Sequence, residues 1–283
     1  MKIFMYVVIA VVVLAAHLSS PIGYQILPVY AKYLPDVLSM VVAAYVVAVG
    51  ARQRFRYLNA KYLVVFGTLM VVMVCGVFVN GDQPGPVLSG ARYYLRAIPF
   101  FFLPAVVDFS DRQAVRYLGA LTVLSLLQVP IAIYQRYAIL SRGGFSGDDV
   151  RGTLMHSGAL SIFLIAVLCM LTTLMIRGRL NKLVYGVLLV LFMIPMSINE
   201  TKATIFLLPL GILTAIITAA PRHKRLRVGM YGLVLLAVAG GIFIPLYDYF
   251  ATVHVHGDSE FTIGQMFTDK DFFSHYLDDN TVV

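Results

Sequence analysis

The sequence predicts an all-α fold: a polytopic transmembrane bundle of about nine helices, with a cytoplasmic N-terminus and an extracytoplasmic C-terminal tail. Three observations carry that prediction. Hydrophobic residues make up 60% of the 283 and charged residues only 13%, and the mean hydropathy is +0.84, a balance that water-soluble domains do not have. Apolar runs close to bilayer-crossing length recur along the chain between short polar breaks. The strongly basic breaks alternate with neutral or acidic ones, which fits a single orientation.

The first run, Ile3 to Ala16, follows Lys2 and has small residues at Ala15, Ala16, Ser19 and Ser20. It reads equally as a cleavable signal peptide or a retained first helix. The second run is Val37 to Gly50, closed by Arg52, Arg54, Arg56 and Lys61, and the third is Tyr62 to Val79, closed by Asn80-Gly81-Asp82-Gln83-Pro84-Gly85-Pro86. Tyr94 to Val107 carries Arg96, Pro99 and Pro104 and predicts a short or broken fourth helix. Val115 to Tyr134 is interrupted by Gln128 and Pro130, and a polar stretch from Gln135 to Gly152 follows it. Thr153 to Ile176, Leu183 to Ile198, Ala203 to Ala220 and Val228 to Pro245 complete the nine, the last with a Gly240-Gly241 pair suited to close helix packing. The domain reading is therefore a transmembrane body over 1–248 and a tail over 249–283.

With the N-terminus inside, the cytoplasmic segments hold Lys2, the four cations from Arg52 to Lys61, Arg112, Arg116, Arg177, Arg179, Lys182, Arg222, Lys224, Arg225 and Arg227. That is fourteen of the 22 lysines and arginines, opposed only by Asp108 and Asp111. Every strongly basic loop falls on one side, as the positive-inside rule requires. The net charge of +8 is thus loop charge that sets orientation, and no nucleic-acid partner is predicted. Trp is absent, which leaves the 17 Tyr to furnish the interfacial belt. Cys75 and Cys169 sit inside apolar runs as packed thiols, and no metal-ligand spacing, phosphate loop or internal repeat stands out. The sequence predicts no cofactor and no metal centre.

That topology gathers four features on the outer face: Arg92 with Arg96, the loop bearing Arg136, Arg142 and Arg151, the turn Asn199-Glu200-Thr201-Lys202, and the tail. Arg92 and Arg96 are four apart and share a helix face, for phosphate binding or for snorkelling to lipid headgroups. For Arg136 and Arg142 a solvated loop, with Asp148 and Asp149 as partners, is the better reading. Arg151-Gly152-Thr153 leads into the sixth helix, where a guanidinium and free backbone N–H groups would suit an anion. His156, one turn in, reads as a satisfied interfacial side chain. Glu200 and Lys202 form a carboxylate–ammonium turn after a run of only about sixteen residues, or roughly 24 Å, which recesses the turn into a cavity.

Arg151-Gly-Thr-Leu before a long apolar helix, then Ser197-Ile-Asn-Glu-Thr-Lys202 between two further helices, resembles the O-antigen ligase/polymerase superfamily. The helix count is similar, since those proteins run through about nine helices before a large periplasmic loop. The resemblance implies a bacterial inner (cytoplasmic) membrane, multi-pass glycosyltransferase that transfers or polymerises glycan from undecaprenyl pyrophosphate on the periplasmic side, without a metal. It implies pyrophosphate binding by Arg151, a second phosphate contact from Lys202, and a positioning role for Glu200, with Arg92 and Arg96 as further candidates on position. In that family a histidine of the large loop belongs to the chemistry, and more helices follow. Here 249–283 reads as only the start of such a loop, and none of His254, His256 and His275 matches a catalytic position. The expectation is a donor-binding half, either truncated or completed by a second polypeptide. Two other classes stay open: a secondary transporter or lipid-linked glycan flippase with Glu200 as coupling group, and a membrane scaffold.

Overall fold

The computed structural model describes residues 2–18, 28–53, 60–80, 95, 98–103, 106–107, 109–139, 150–199, 201, 203–221, 223 and 225–252. Among them there is no strand. The helices are α1 (Lys2–Leu18), α2 (Leu34–Arg52), α3 (Ala60–Asn80), α4 (Ile98–Phe102), α5 (Asp111–Tyr134), α6 (Ser157–Ile176), α7 (Lys182–Ile198), α8 (Ala203–Ala219) and α9 (Arg225–Thr252). Each of the nine apolar runs therefore carries a described helix. The fourth is only five residues long, with Pro99 in its first turn and Pro104 just beyond its end. Four stretches are long and apolar enough to cross a membrane: Leu34–Arg52, Asp111–Ala138, Ser157–Ile176 and Arg225–Phe250. Phe4–Leu14, Leu63–Phe78, Lys182–Ile198 and Ala203–Ala219 are shorter apolar helices.

The chain divides into two compact units, the boundary falling inside α5. In the first unit (Met1–Ala15 with Leu27–Tyr117), Val42 and Val46 of α2 pack on Leu103, Val106 and Val107, and Phe4 and Met5 of α1 close over them. Phe66 of α3 sets its ring 5.1 Å from those of Phe101 and Phe102. The first apolar helix thus contributes to a core. Most large side chains of α3 face outward, Phe78 being 81% exposed, and apolar surface of this extent suits a lipid surround.

The second unit (Ala16–Ile26 with Leu118–Val283) is built on α6 to α9, joined by short turns. Leu160, Leu164, Leu168 and Leu171 recur at helical spacing on α6 and meet Tyr185, Leu189, Phe192 and Met196 of α7 and Leu208, Ile212 and Ile216 of α8. The one hydroxyl pair in this core is satisfied: Tyr185 Oη and Thr172 Oγ1 lie 2.8 Å apart, and Thr172 also donates to the Leu168 carbonyl.

Two sequence expectations change here. Helix α9 does not stop at Pro245 but continues to Thr252, because Leu246 and Phe250 are packed and the Phe250 carbonyl is held by Arg136. Among the described residues the Gly240-Gly241 pair is not a packing face, since a Cβ at either would meet nothing within 4 Å. The close approach falls at Gly232, where a Cβ would lie 2.8 Å from Ile216 Cδ1 of α8. At Gly232→Ala the overpacking against Ile216, about 1–3 kcal/mol, cancels or outweighs the helix-propensity gain of about 1 kcal/mol, so this variant should be no more stable than the wild type. Gly240→Ala should be neutral or gain up to about 1 kcal/mol of helix propensity. Far-UV circular dichroism melts of the two purified variants would order them.

Candidate functional site

Most of the buried polar side chains described in the second unit collect toward one end, where α5, α7 and α9 finish and α6 and α8 begin. The cause starts in α5. Pro130 removes one N–H from that helix, and five residues later the chain widens into a π-helical turn, Gln135–Ile139. Such turns re-aim side chains and recur at functional sites. This one directs Gln135 and Arg136 inward, to 3% and 6% exposure.

Gln135 clasps the backbone of Gly152. Its Nε2 donates to the Gly152 carbonyl at 2.8 Å, and its Oε1 accepts the Gly152 N–H at 2.8 Å. Gln128, two turns earlier and fully buried, does the same for Thr153: Oε1 accepts the Thr153 N–H at 2.8 Å, while Nε2 donates to Thr153 Oγ1 at 3.0 Å and to the Leu124 carbonyl at 2.9 Å. Two side-chain amides thus take the place of a strand or helix partner here, satisfying the Gly152 N–H and carbonyl and the Thr153 N–H. Gly152 has φ +59° and passes so close to Gln128 that a Cβ would collide with Oε1. Arg136 donates from Nη2 to the Phe250 carbonyl at 2.9 Å, tying the end of α9 to the same place.

The turn after α7 joins this assembly. Asn199 is fully buried, and its Nδ2 donates to the Ser157 carbonyl at 3.1 Å and to Ser161 Oγ at 2.9 Å. Oδ1 accepts from the Thr201 N–H at 3.3 Å. Val150, directly before Arg151, shares one apolar cluster with Ile198, Ala132 and Phe250. The two motifs singled out in the sequence are therefore neighbours, and the N-termini of α6 and α8 open at the same end. Each carries roughly half a positive charge, which favours an anion.

Arg151 is partly buried, and its Nη1 donates to the Met155 carbonyl at 3.3 Å. The free backbone N–H groups expected beside it are not free, because those of Gly152 and Thr153 are taken by Gln135 and Gln128. The sixth helix also begins at Ser157 and not at Thr153, because the amide clasps hold 150–153 in a non-helical path. His156 is exposed and extended (φ −153°, ψ 163°), and its Nδ1 caps α6 by accepting the Ala159 N–H at 3.0 Å. That matches its reading as a satisfied side chain. Arg136 is a correction: it is buried and anchors α9, whereas a solvated loop was expected. Glu200, Lys202, Arg92, Arg96, Arg142, Asp148, Asp149 and the tail 253–283 lie outside the described residues.

Sequence reasoning passed over Gln128 and Gln135 as partners, though a signal existed. They are seven apart, one in the apolar second half of α5 and one at the start of the turn that follows it, a spacing of about two helical turns. Ser197, Thr201 and Thr204, in the turn and the helix ends beside Asn199, carry buried hydroxyl oxygens without a hydrogen-bond partner among the described residues.

A family model, described as a family of unknown function (DUF6337), matches residues 99–283. The chain belongs to that family. The DUF6337 match takes in every residue of the polar end described above, whereas Arg92 and Arg96 precede it. No curated protein and no solved structure matches the chain.

Proposed function

We propose that this DUF6337 member is a multi-pass protein of the bacterial inner membrane. It crosses the membrane nine times, with its N-terminus in the cytoplasm. At the periplasmic end of its second helical unit it binds the pyrophosphate of an undecaprenyl-linked glycan, for transfer to or extension of a surface polysaccharide. Arg151 and Lys202 contact the phosphates and Glu200 orients the lysine or an acceptor hydroxyl. Arg92 and Arg96 are candidates for the same anionic group. A second polypeptide supplying further helices fits the same reading.

The observation that carries it is the convergence of the Arg151 segment with the Asn199 turn, through the Val150–Ile198 cluster and the Asn199–Ser157 hydrogen bond. A guanidinium and two helix N-termini at one end of an apolar bundle suit a lipid whose only charged part is a pyrophosphate. The described stretches of α6 and α8, and of α7 after Lys182, contain no Asp, Glu, Lys or Arg. Coupling groups near the midplane, expected of a secondary transporter, are therefore not among them.

The test is genetic. Arg151→Ala and Lys202→Ala, expressed in a strain lacking the native gene, should abolish ligation or chain extension of the surface glycan while the protein remains membrane-inserted. Normal polymer profiles in both would sink the reading. Substrate flux into proteoliposomes that needs both a proton gradient and Glu200 would replace it with the transporter.

A further inference from the structure

At the opposite end of the second unit, α8 and α9 leave a groove of about 420 Å³, lined by Leu213 and Ile217 of α8 and Arg225, Leu226, Gly229, Met230 and Leu233 of α9. Its wall is almost wholly apolar, and Arg225 is the charged residue among those lining it. Leu226, Met230 and Leu233 are exposed by 84%, 59% and 52%, so the groove opens toward the surroundings. From Arg225 to Leu233 it runs about 12 Å along α9 at 1.5 Å per residue, which fits within one leaflet of a roughly 30 Å hydrocarbon core.

We infer that this groove binds one acyl chain of an anionic phospholipid, with Arg225 holding the headgroup phosphate. An apolar slot shorter than a leaflet excludes a polar solute and suits hydrocarbon. The charge at its mouth selects the head: Arg225 has no acidic partner among the described residues, and it stands beside Arg222, Lys224 and Arg227 in a stretch without Asp or Glu. An arginine at this position is able to lay its aliphatic stem along the groove and send its guanidinium to the interface, as long cations do at membrane surfaces. Gly229 lines the groove, and a Cβ there would stand in open space with nothing within 4 Å. The inference rests on membrane insertion alone and not on the glycan reading.

The experiment uses the full chain purified in detergent, with phosphatidylglycerol and phosphatidylcholine added separately and retention read by native mass spectrometry. The wild type should prefer phosphatidylglycerol by about fivefold, the effect of one cation beside an anionic lipid. Arg225→Gln should remove the preference and Arg225→Lys should keep most of it. Gly229→Leu should lower retention of both lipids at unchanged helicity, and Gly229→Ala, the milder filling, should give a smaller loss in the same direction. Equal retention of the two lipids by the wild type, or an undiminished preference in Arg225→Gln, would overturn the inference. So would full retention by a folded Gly229→Leu protein.

Discussion

Gly152→Ala should leave little folded protein. Three costs fall on one methyl group. A non-glycine residue at φ +59° loses about 1–2 kcal/mol to the left-handed backbone. The new Cβ occupies the place of Gln128 Oε1, so that amide must swing away. Its departure orphans the buried Thr153 N–H, which costs a further ~1–3 kcal/mol. Since membrane and soluble domains alike have only about 5–15 kcal/mol to lose, several kcal/mol at one site shows as a much lower melting midpoint or as aggregation. Size-exclusion profiles and circular dichroism melts would read it, the chain having no Trp to report by fluorescence. The pairing can be checked through Gln128→Ala, which opens room for the methyl. Gly152→Ala should cost less in that background than alone, because the two changes share a contact and do not add.

Asn199→Ala should have the second largest effect. The side chain makes three hydrogen bonds from full burial, and removing it takes a donor from the Ser157 carbonyl and from Ser161 Oγ and an acceptor from the Thr201 N–H. A buried group left without its partner costs about 1–3 kcal/mol, so a total of about 2–4 kcal/mol is expected. Asn199→Asp discriminates among the three bonds. It keeps an acceptor for Thr201 but offers no donor to the Ser157 carbonyl, so it should be nearly as damaging as alanine. The turn that holds Glu200 and Lys202 is thereby loosened from α6, and a fall in glycan extension steeper than the fall in protein level is expected from both variants.

The helices were legible because a lipid-facing or core-facing helix must be apolar along its length, and the polar breaks mark its ends. Each of the nine runs accordingly meets a described helix. Ends were less legible where a long-range contact decides them. Nothing local distinguishes Thr153 from a helical residue. Its conformation is set by Gln128, twenty-five positions earlier, just as the extension of α9 past Pro245 is set by Arg136 from 114 positions away. The Gly240-Gly241 pair misled for a related reason: small residues show where helices are able to approach, and Gly232 is where they do. Of the site, Arg151 and the Asn199 turn were legible as charged or polar groups in an apolar chain. The amides that position the Arg151 segment were not, since a glutamine in an apolar run names no partner until the fold supplies one.

The central claim is that this end of the bundle holds a polyprenyl pyrophosphate through Arg151. Binding of undecaprenyl pyrophosphate to the purified protein, with undecaprenol as the uncharged comparison, tests it most directly. The wild type should bind the pyrophosphate lipid well above undecaprenol, and Arg151→Ala should weaken it by about ten- to a hundredfold, the usual loss of a charge-assisted hydrogen bond. Arg179→Ala, at the other end of α6, should bind as the wild type does. Equal affinity for the two lipids, or an Arg151→Ala protein that binds as tightly as the wild type, would contradict the account.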